Sequence, residues 1–415
     1  MQCMTEGGLF CSPFTNFSLT TRQTNYILYD NDNHYHIGIV IIYLITRKGL
    51  HMNSKRRFSL TTLLVSMVLI LALVGCSSQP SGSSASTPTE GDSASTETAT
   101  TETTASQDAD TQYPIVIKHA FGETNIEKKP ERVVTIQWGN QDVALALGVV
   151  PVGFSAANYG VQDDSGLLPW TAKKLEALGA TDPNVFQDTD GLDFEAISDA
   201  NPDVILAAYS GITQEDYDIL SQIAPVVAYP TTPWLTTWRE QVMLNATGMG
   251  MKTEGEQLIK DTEQMIQDKV SEHPQIKGKK VVWVNFSAKD MSKLHIYTPA
   301  DPRGSFLEEL GMVYPESVTS QIKDPTSYSM NLSAENADML NDADILVGYN
   351  DEDVYKAVQA DPVLGKIPAI QRGSVVNIGN GTPLAASGNP NPLSISYTID
   401  EYLNLIDEAI SKINE

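Results

Sequence analysis

The residues of this chain best suited to chemistry are aromatic rings and amides placed just beyond apolar runs. Trp138 and Asn140, in QWGNQ, follow the strand-like RVVTI of 132–136. Tyr209 follows VILAA, Tyr349 follows DILVG, and Asn285 closes KVVWVNF. Trp170 and Trp234 stand where loops enter helices, and Tyr328 lies in the loop PTSYSMN. Residues past the carboxyl ends of strands in open α/β sheets face a crevice. Rings with a few hydrogen-bonding groups suit the wall of a small-molecule site. Trp283, inside an apolar strand, and Trp238, on a helix, are read as core. Enzyme chemistry finds no support, because GxSxG, Walker, HExxH and paired Cys/His motifs are all missing. The glycine-rich GNGTPLAASGNPNP (379–392) lacks the Lys-Ser/Thr of a phosphate loop and reads as a rim loop. His119, His273 and His295 are scattered, so no metal-ligating cluster of imidazoles is expected and no catalytic residue is assigned.

Positioning those rings requires alternating strands and helices, the signature of α/β layering. Strand-like runs at 132–136, 150–155, 204–208 and 226–229 alternate with helix-like segments at 141–147, 170–178, 194–199, 214–223 and 234–248. This is a first lobe, 113–250. A second lobe, 275–415, repeats the plan, with strand-like runs at 280–286, 294–298, 345–349 and 375–378. Its helix-like segments are 305–310, 334–340, 353–359 and 395–413. Between the lobes, Leu258, Ile259, Thr262, Met265, Ile266, Lys269 and Val270 form one stripe at spacings of three and four. The spacing predicts a single linking helix within 251–274, ended by Pro274. About 300 residues suffice for two such domains.

Upstream, Lys55, Arg56 and Arg57 precede a mostly apolar run from Leu60 to Val74, the layout of a secretory signal over 52–75. That run is shorter than the roughly 20 residues of a membrane span. Leu73-Val74-Gly75-Cys76 resembles a bacterial lipobox, in which the Cys76 thiol is acylated and becomes the new N-terminus. Residues 77–112 carry no aromatic or large aliphatic side chain. Such a composition cannot bury enough apolar surface to order itself, and a coil of that length reaches about 30–40 Å. Met52 is expected to be the true start, with 1–51 a mis-annotated extension. Residues 1–75 hold 6 of the 27 basic and 3 of the 52 acidic residues, so the remainder carries 21 against 49, a formal −28. A chain so acidic will not bind nucleic acid or anionic lipid electrostatically. Its single remaining cysteine forms no internal disulfide.

Four stretches, FGETNIEKKPERVVTI (121–136), GLDFEAISDANPDVILA (191–207), DPRGSFLEELG (301–311) and DPVLGKIPAIQRGSVVNI (361–378), together resemble the substrate-binding lipoproteins of iron–siderophore and cobalamin ABC importers. The resemblance covers essentially all of 113–415. It implies two Rossmann-like lobes joined by one long α-helix, the helical-backbone periplasmic-binding-protein fold. It implies capture of an Fe(III)-siderophore with no cofactor, and delivery to the permease and ATPase subunits of an ABC importer. The expected form is a monomer, lipid-anchored on the extracytoplasmic face of the membrane. Cobalamin or haem is the alternative ligand, and a non-transport adhesin or an enzyme fits less well. By the same resemblance Arg303, in TPADPRGS, meets the ligand. Glu195 in GLDFEAI and Glu308 in SFLEELG dock on permease arginines, with Glu309 as a substitute for Glu308.

Overall fold

In the computed structural model, residues 112–188 and 190–413 are described, and all belong to one compact unit. The extension 1–51, the signal segment 52–75, Cys76 and the tether as far as residue 111 lie outside the described residues.

The described chain opens with an antiparallel ribbon, β1 (Ile115–His119) and β2 (Gly122–Ile126). The first lobe then alternates β3 (Val133–Thr135), α1 (Asn140–Ala146), β4 (Gly153–Ser155), α2 (Pro169–Ala177), β5 (Val185–Phe186), α3 (Phe194–Asp199), β6 (Val204–Ala207), α4 (Gln214–Leu220), β7 (Val226–Ala228) and α5 (Trp238–Gly248). Its strands lie in the order β5-β4-β3-β6-β7, all parallel. Parallel sheets are covered on both faces, so their strands read as continuous apolar runs. VVT of β3 and VILA of β6 are buried at every position. Strand order reverses between β3 and β6, and a crevice opens at such a switch point.

Helix α6 (Lys252–Ser271) leads to the second lobe. There β8 (Val281–Asn285), β9 (Lys293–Tyr297), α7 (Pro302–Glu309), α8 (Glu316–Thr319), β10 (Ser329–Ser333), β11 (Ile345–Gly348), α9 (Glu352–Ala360), α10 (Pro368–Arg372), β12 (Val375–Asn377), α11 (Pro383–Ala386) and α12 (Pro392–Ser411) follow. The sheet order is β10-β9-β8-β11-β12. Strands β8, β11 and β12 are parallel, while β9 and β10 are antiparallel additions on one edge. Its switch point falls between β8 and β11. Strands β1, β2, β5 and β10 are absent from the sequence-based reading. VF is too brief to show a period, and SMNLS is a half-exposed edge strand.

Helix caps are written locally. Thr213 with Asp216, Thr237 with Glu240, and Asn391 with Ser394 form reciprocal capping boxes at the starts of α4, α5 and α12. Helix α6 is 20 residues long, about 30 Å. It is not the lone brace between the lobes. Helix α12, also 20 residues, lies along α6 and is tied to it by the ion pair Lys269–Asp400, at 2.6 Å, and just beyond it by a hydrogen bond between His273 and Asp407. The N-terminal end of α12 reaches α1 and α2 of the first lobe. The hydrophobic core of the second lobe likewise takes in Val143, Trp238 and Val242 from the first.

Candidate ligand cleft

A cleft of about 490 Å³ lies where the two switch points face one another, walled by both lobes. On the first wall, the chain leaving β3 turns through Gln137 (φ 65°) and Gly139 (φ 69°), and Trp138 stands between them. Asn140 underlies this turn. Its Nδ2 donates to the carbonyls of Ile136 (2.8 Å) and Tyr209 (3.0 Å). Its Oδ1 accepts from Tyr209 N, Gln241 Nε2 and Asn245 Nδ2 at 3.2, 3.2 and 3.0 Å. The amide thus ties the end of β3 to the end of β6, which fixes the bases of Trp138 and Tyr209.

The Tyr209 ring meets Trp234 edge-on at 5.4 Å, and its hydroxyl donates to Asn389 Oδ1 of the second lobe at 2.9 Å. Trp234 has φ 64°, the left-handed region that bulky residues avoid. Such strain costs on the order of 1–3 kcal/mol and clusters at binding sites. The indole rests on Gly211, where a Cβ would lie 2.4 Å from its nitrogen. Ser155, at the end of β4, accepts from Gln137 N at 2.7 Å and donates to Asp188 Oδ2 at 2.5 Å.

The second wall is a cage around one cation. Asp301 caps α7, and its carboxylate takes Arg303 Nη1 on both oxygens at 3.0 Å. Arg303 Nε donates to the Tyr349 hydroxyl at 2.5 Å, and the guanidinium lies 4.3 Å over the Tyr297 ring. Asp301 is 2% exposed. Burial pushes its carboxyl up and the Arg303 charge pulls it back. Burial raises the Tyr349 hydroxyl strongly, so it stays neutral at physiological pH. Tyr159 joins the walls. It meets Tyr349 edge-on at 6.0 Å, donates to Asn380 Oδ1 at 2.7 Å and accepts from Gly381 N at 2.9 Å.

The chain matches the family described as "Periplasmic binding protein" over residues 133–381. It is a member of the periplasmic binding protein family. PiaA of Streptococcus pneumoniae TIGR4, solved in complex with ferrichrome, is 54% identical, covers 72% of this chain and 99% of its own, and superposes with a TM-score of 0.69. SirA of Staphylococcus aureus, solved with staphyloferrin B, is 25% identical over 72% of this chain and 98% of its own, with a TM-score of 0.54. The "Probable siderophore-binding lipoprotein YfiY" of Bacillus subtilis (strain 168) is 28% identical over 62% of this chain and 74% of its own.

In this binding protein the cleft gathers Trp138, Tyr209, Trp234, Arg303, Tyr328 and Tyr349. Three residues expected there lie elsewhere. Asn140 is fully buried, with both ends of its amide used on backbone and side-chain partners behind the wall. Asn285 accepts the Tyr349 backbone N–H at 3.1 Å and so acts as a support of that ring. Trp170 is 3% exposed, its indole N–H donating to Asp142 at 2.8 Å within the core.

Tyr159, Asp188, Tyr297 and Asp301 line the cleft and are missing from the sequence-based set. Tyr297 ends β9 and Asp188 comes two residues after β5, so the strand-end rule applied to those strands would have found both. Glu195, in the first turn of α3, and Glu308, on α7, are both exposed. Glu309 instead accepts from Arg239 at 2.8 Å and from the Trp238 indole at 3.1 Å.

Proposed function

We propose that this binding protein captures a tris-hydroxamate of iron(III), a ferric chelate whose metal centre is electroneutral, and hands it to an ABC permease. The charge balance of the cleft carries this reading. Among the described lining residues Arg303 is the one cation, and Asp301 already matches it. Asp188 adds a second carboxylate. Three hydroxamates cancel the charge of iron(III), and such a complex needs rings and hydrogen-bond donors rather than spare cations. A trianionic tricatecholate or a citrate complex would enter a partly dry cleft without an unpaired positive partner, at high desolvation cost. The PiaA relative holding ferrichrome supports the same class. SirA with staphyloferrin B shows that the family alone does not set the chelator.

The delivery arrangement belongs to the same proposal. A lipid on Cys76 holds the monomer at the extracytoplasmic face, with the polar tether between anchor and body. Glu195 and Glu308 provide a two-point electrostatic register on the permease, acting on orientation and encounter rate more than on affinity. Glu308 is preferred to Glu309, because Glu309 is engaged by Arg239 and Trp238.

Titration of intrinsic tryptophan fluorescence tests the ligand class, since Trp138 and Trp234 line the cleft. Saturable quenching is expected with a ferric tris-hydroxamate. Tighter binding of a ferric tricatecholate, ferric citrate, haem or cobalamin would reject the proposal.

A further inference from the structure

We infer that Asp188 makes the cleft prefer ferric chelates bearing a protonated amine, the ammonium seating on the first-lobe wall beside Ser155. The inference rests on the ferric-chelate reading above and adds the chemistry of the ligand's periphery. Asp188 lines the cleft yet is only 9% exposed. Among the described residues its carboxylate is held by the Ser155 hydroxyl and by its own backbone N–H. The proton of that hydroxyl is committed to Asp188, because its oxygen already accepts from Gln137 N. The carboxylate is therefore held in place by neutral donors.

The contrast with the opposite wall is direct. Asp301 has a guanidinium on both of its oxygens. Among the described residues no lysine, arginine or histidine pairs with Asp188, and the charge acting on it is another acid, Asp193. Burial raises its carboxyl accordingly. A carboxylate offers about four acceptor positions, and Ser155 and the residue's own backbone N–H engage it without bringing a charge. A buried carboxylate with no counter-charge is costly in an empty cleft. A ligand that brings a cation supplies the counter-charge through a charge-assisted hydrogen bond. With Arg303 matched by Asp301, the ionised cleft carries one net negative charge, located at Asp188.

The test uses the ferric complex of a linear tris-hydroxamate ending in a primary amine and the same complex with that amine acetylated. The two chelates keep the same iron centre and differ in the terminal charge. Both are titrated against the mature lipoprotein in detergent, as wild type and as Asp188→Asn, at neutral pH. The wild type is expected to bind the amine form at least 10-fold more tightly than the acetylated form. In Asp188→Asn that ratio should collapse to near one, whereas a merely structural effect of the substitution would leave the ratio as in wild type. An unchanged ratio in the variant, or no preference in the wild type, overturns the assignment. Binding of neither chelate by the wild type would overturn the hydroxamate reading and this assignment with it.

Discussion

On the first-lobe wall, Trp138 and Trp234 sit on turns with left-handed backbone, and their rings face the cleft with little polar anchoring. On the second-lobe wall, Arg303 is held by Asp301, Tyr349 and Tyr297 before any ligand arrives. One wall presents apolar area on a strained backbone. The other presents a desolvated charge whose position is already set. Preorganised polar groups cost no reordering at binding, whereas rings contribute mainly area and shape. The cation wall should thus dominate affinity, and the indole wall should tune it.

The strongest way to break this comparison is Arg303→Ala. Removing one partner of a buried pair leaves Asp301 uncompensated, which costs about 3–5 kcal/mol. Urea unfolding should show a loss of about that size, and fluorescence titration at least a 100-fold loss of affinity. Arg303→Met combined with Asp301→Asn should recover stability without recovering affinity. Retained affinity in that double variant would remove the charge from ligand recognition.

The second expected effect is at Asp142, below both walls. Its carboxylate accepts from Trp170 Nε1 (2.8 Å), Thr171 Oγ1 (2.6 Å) and Asn391 Nδ2 (2.9 Å), the last joining α1 to the start of α12. Burial pushes its pKa up to about 6 from 3.8, against the pull of those three donors. The folded state therefore holds this proton more tightly than the unfolded chain does. Its contribution to stability is present below about pH 4 and is lost as pH rises towards 6, by about 3 kcal/mol in all. Asp142→Asn keeps the shape and cannot ionise. The difference in unfolding free energy between variant and wild type should grow in favour of the variant between pH 4 and 6. A constant difference would show that Asp142 does not titrate in that window.

On the indole wall, Trp234→Gly sharpens the comparison. It frees a residue at φ 64° while removing a ring from the cleft. Affinity should fall about 10-fold, in line with 1.4 kcal/mol per decade. Thermal stability should hold or rise slightly, because glycine accepts that backbone without strain. A marked loss of stability instead would make Trp234 a core residue. The smallest effect on affinity should come from Glu195→Ala with Glu308→Ala. Ligand titration should be unchanged within error while cellular uptake of the chelate is lost. Weakened ligand binding would place the pair at the cleft.

Legibility of the site followed the length and polarity of each element. VILAA and DILVG stood out because strands buried on both faces need unbroken apolar runs, so Tyr209 and Tyr349 were found. Asp188 was not, because two residues of β5 carry no period. Trp138 was readable from the glycine beside it, which permits the tight turn after β3. Trp170 looked equally suited to a loop-edge site. Its acceptor, Asp142, is 28 residues away, and no local pattern announces that pairing.

The amino-acid sequence alone determined the two α/β lobes, the linking helix and the rings at strand ends. Each of these rests on periodicity, caps and turns spanning a few neighbouring residues. The tertiary structure alone decided the second brace and the support of the cleft. Asn391 reaches Asp142 across 249 residues of chain, and Tyr209 reaches Asn389 across 180. It also decided that Arg303 arrives already matched while Asp188 does not. Burial and counter-charge depend on what distant segments bring together, and local sequence does not encode which segments those will be.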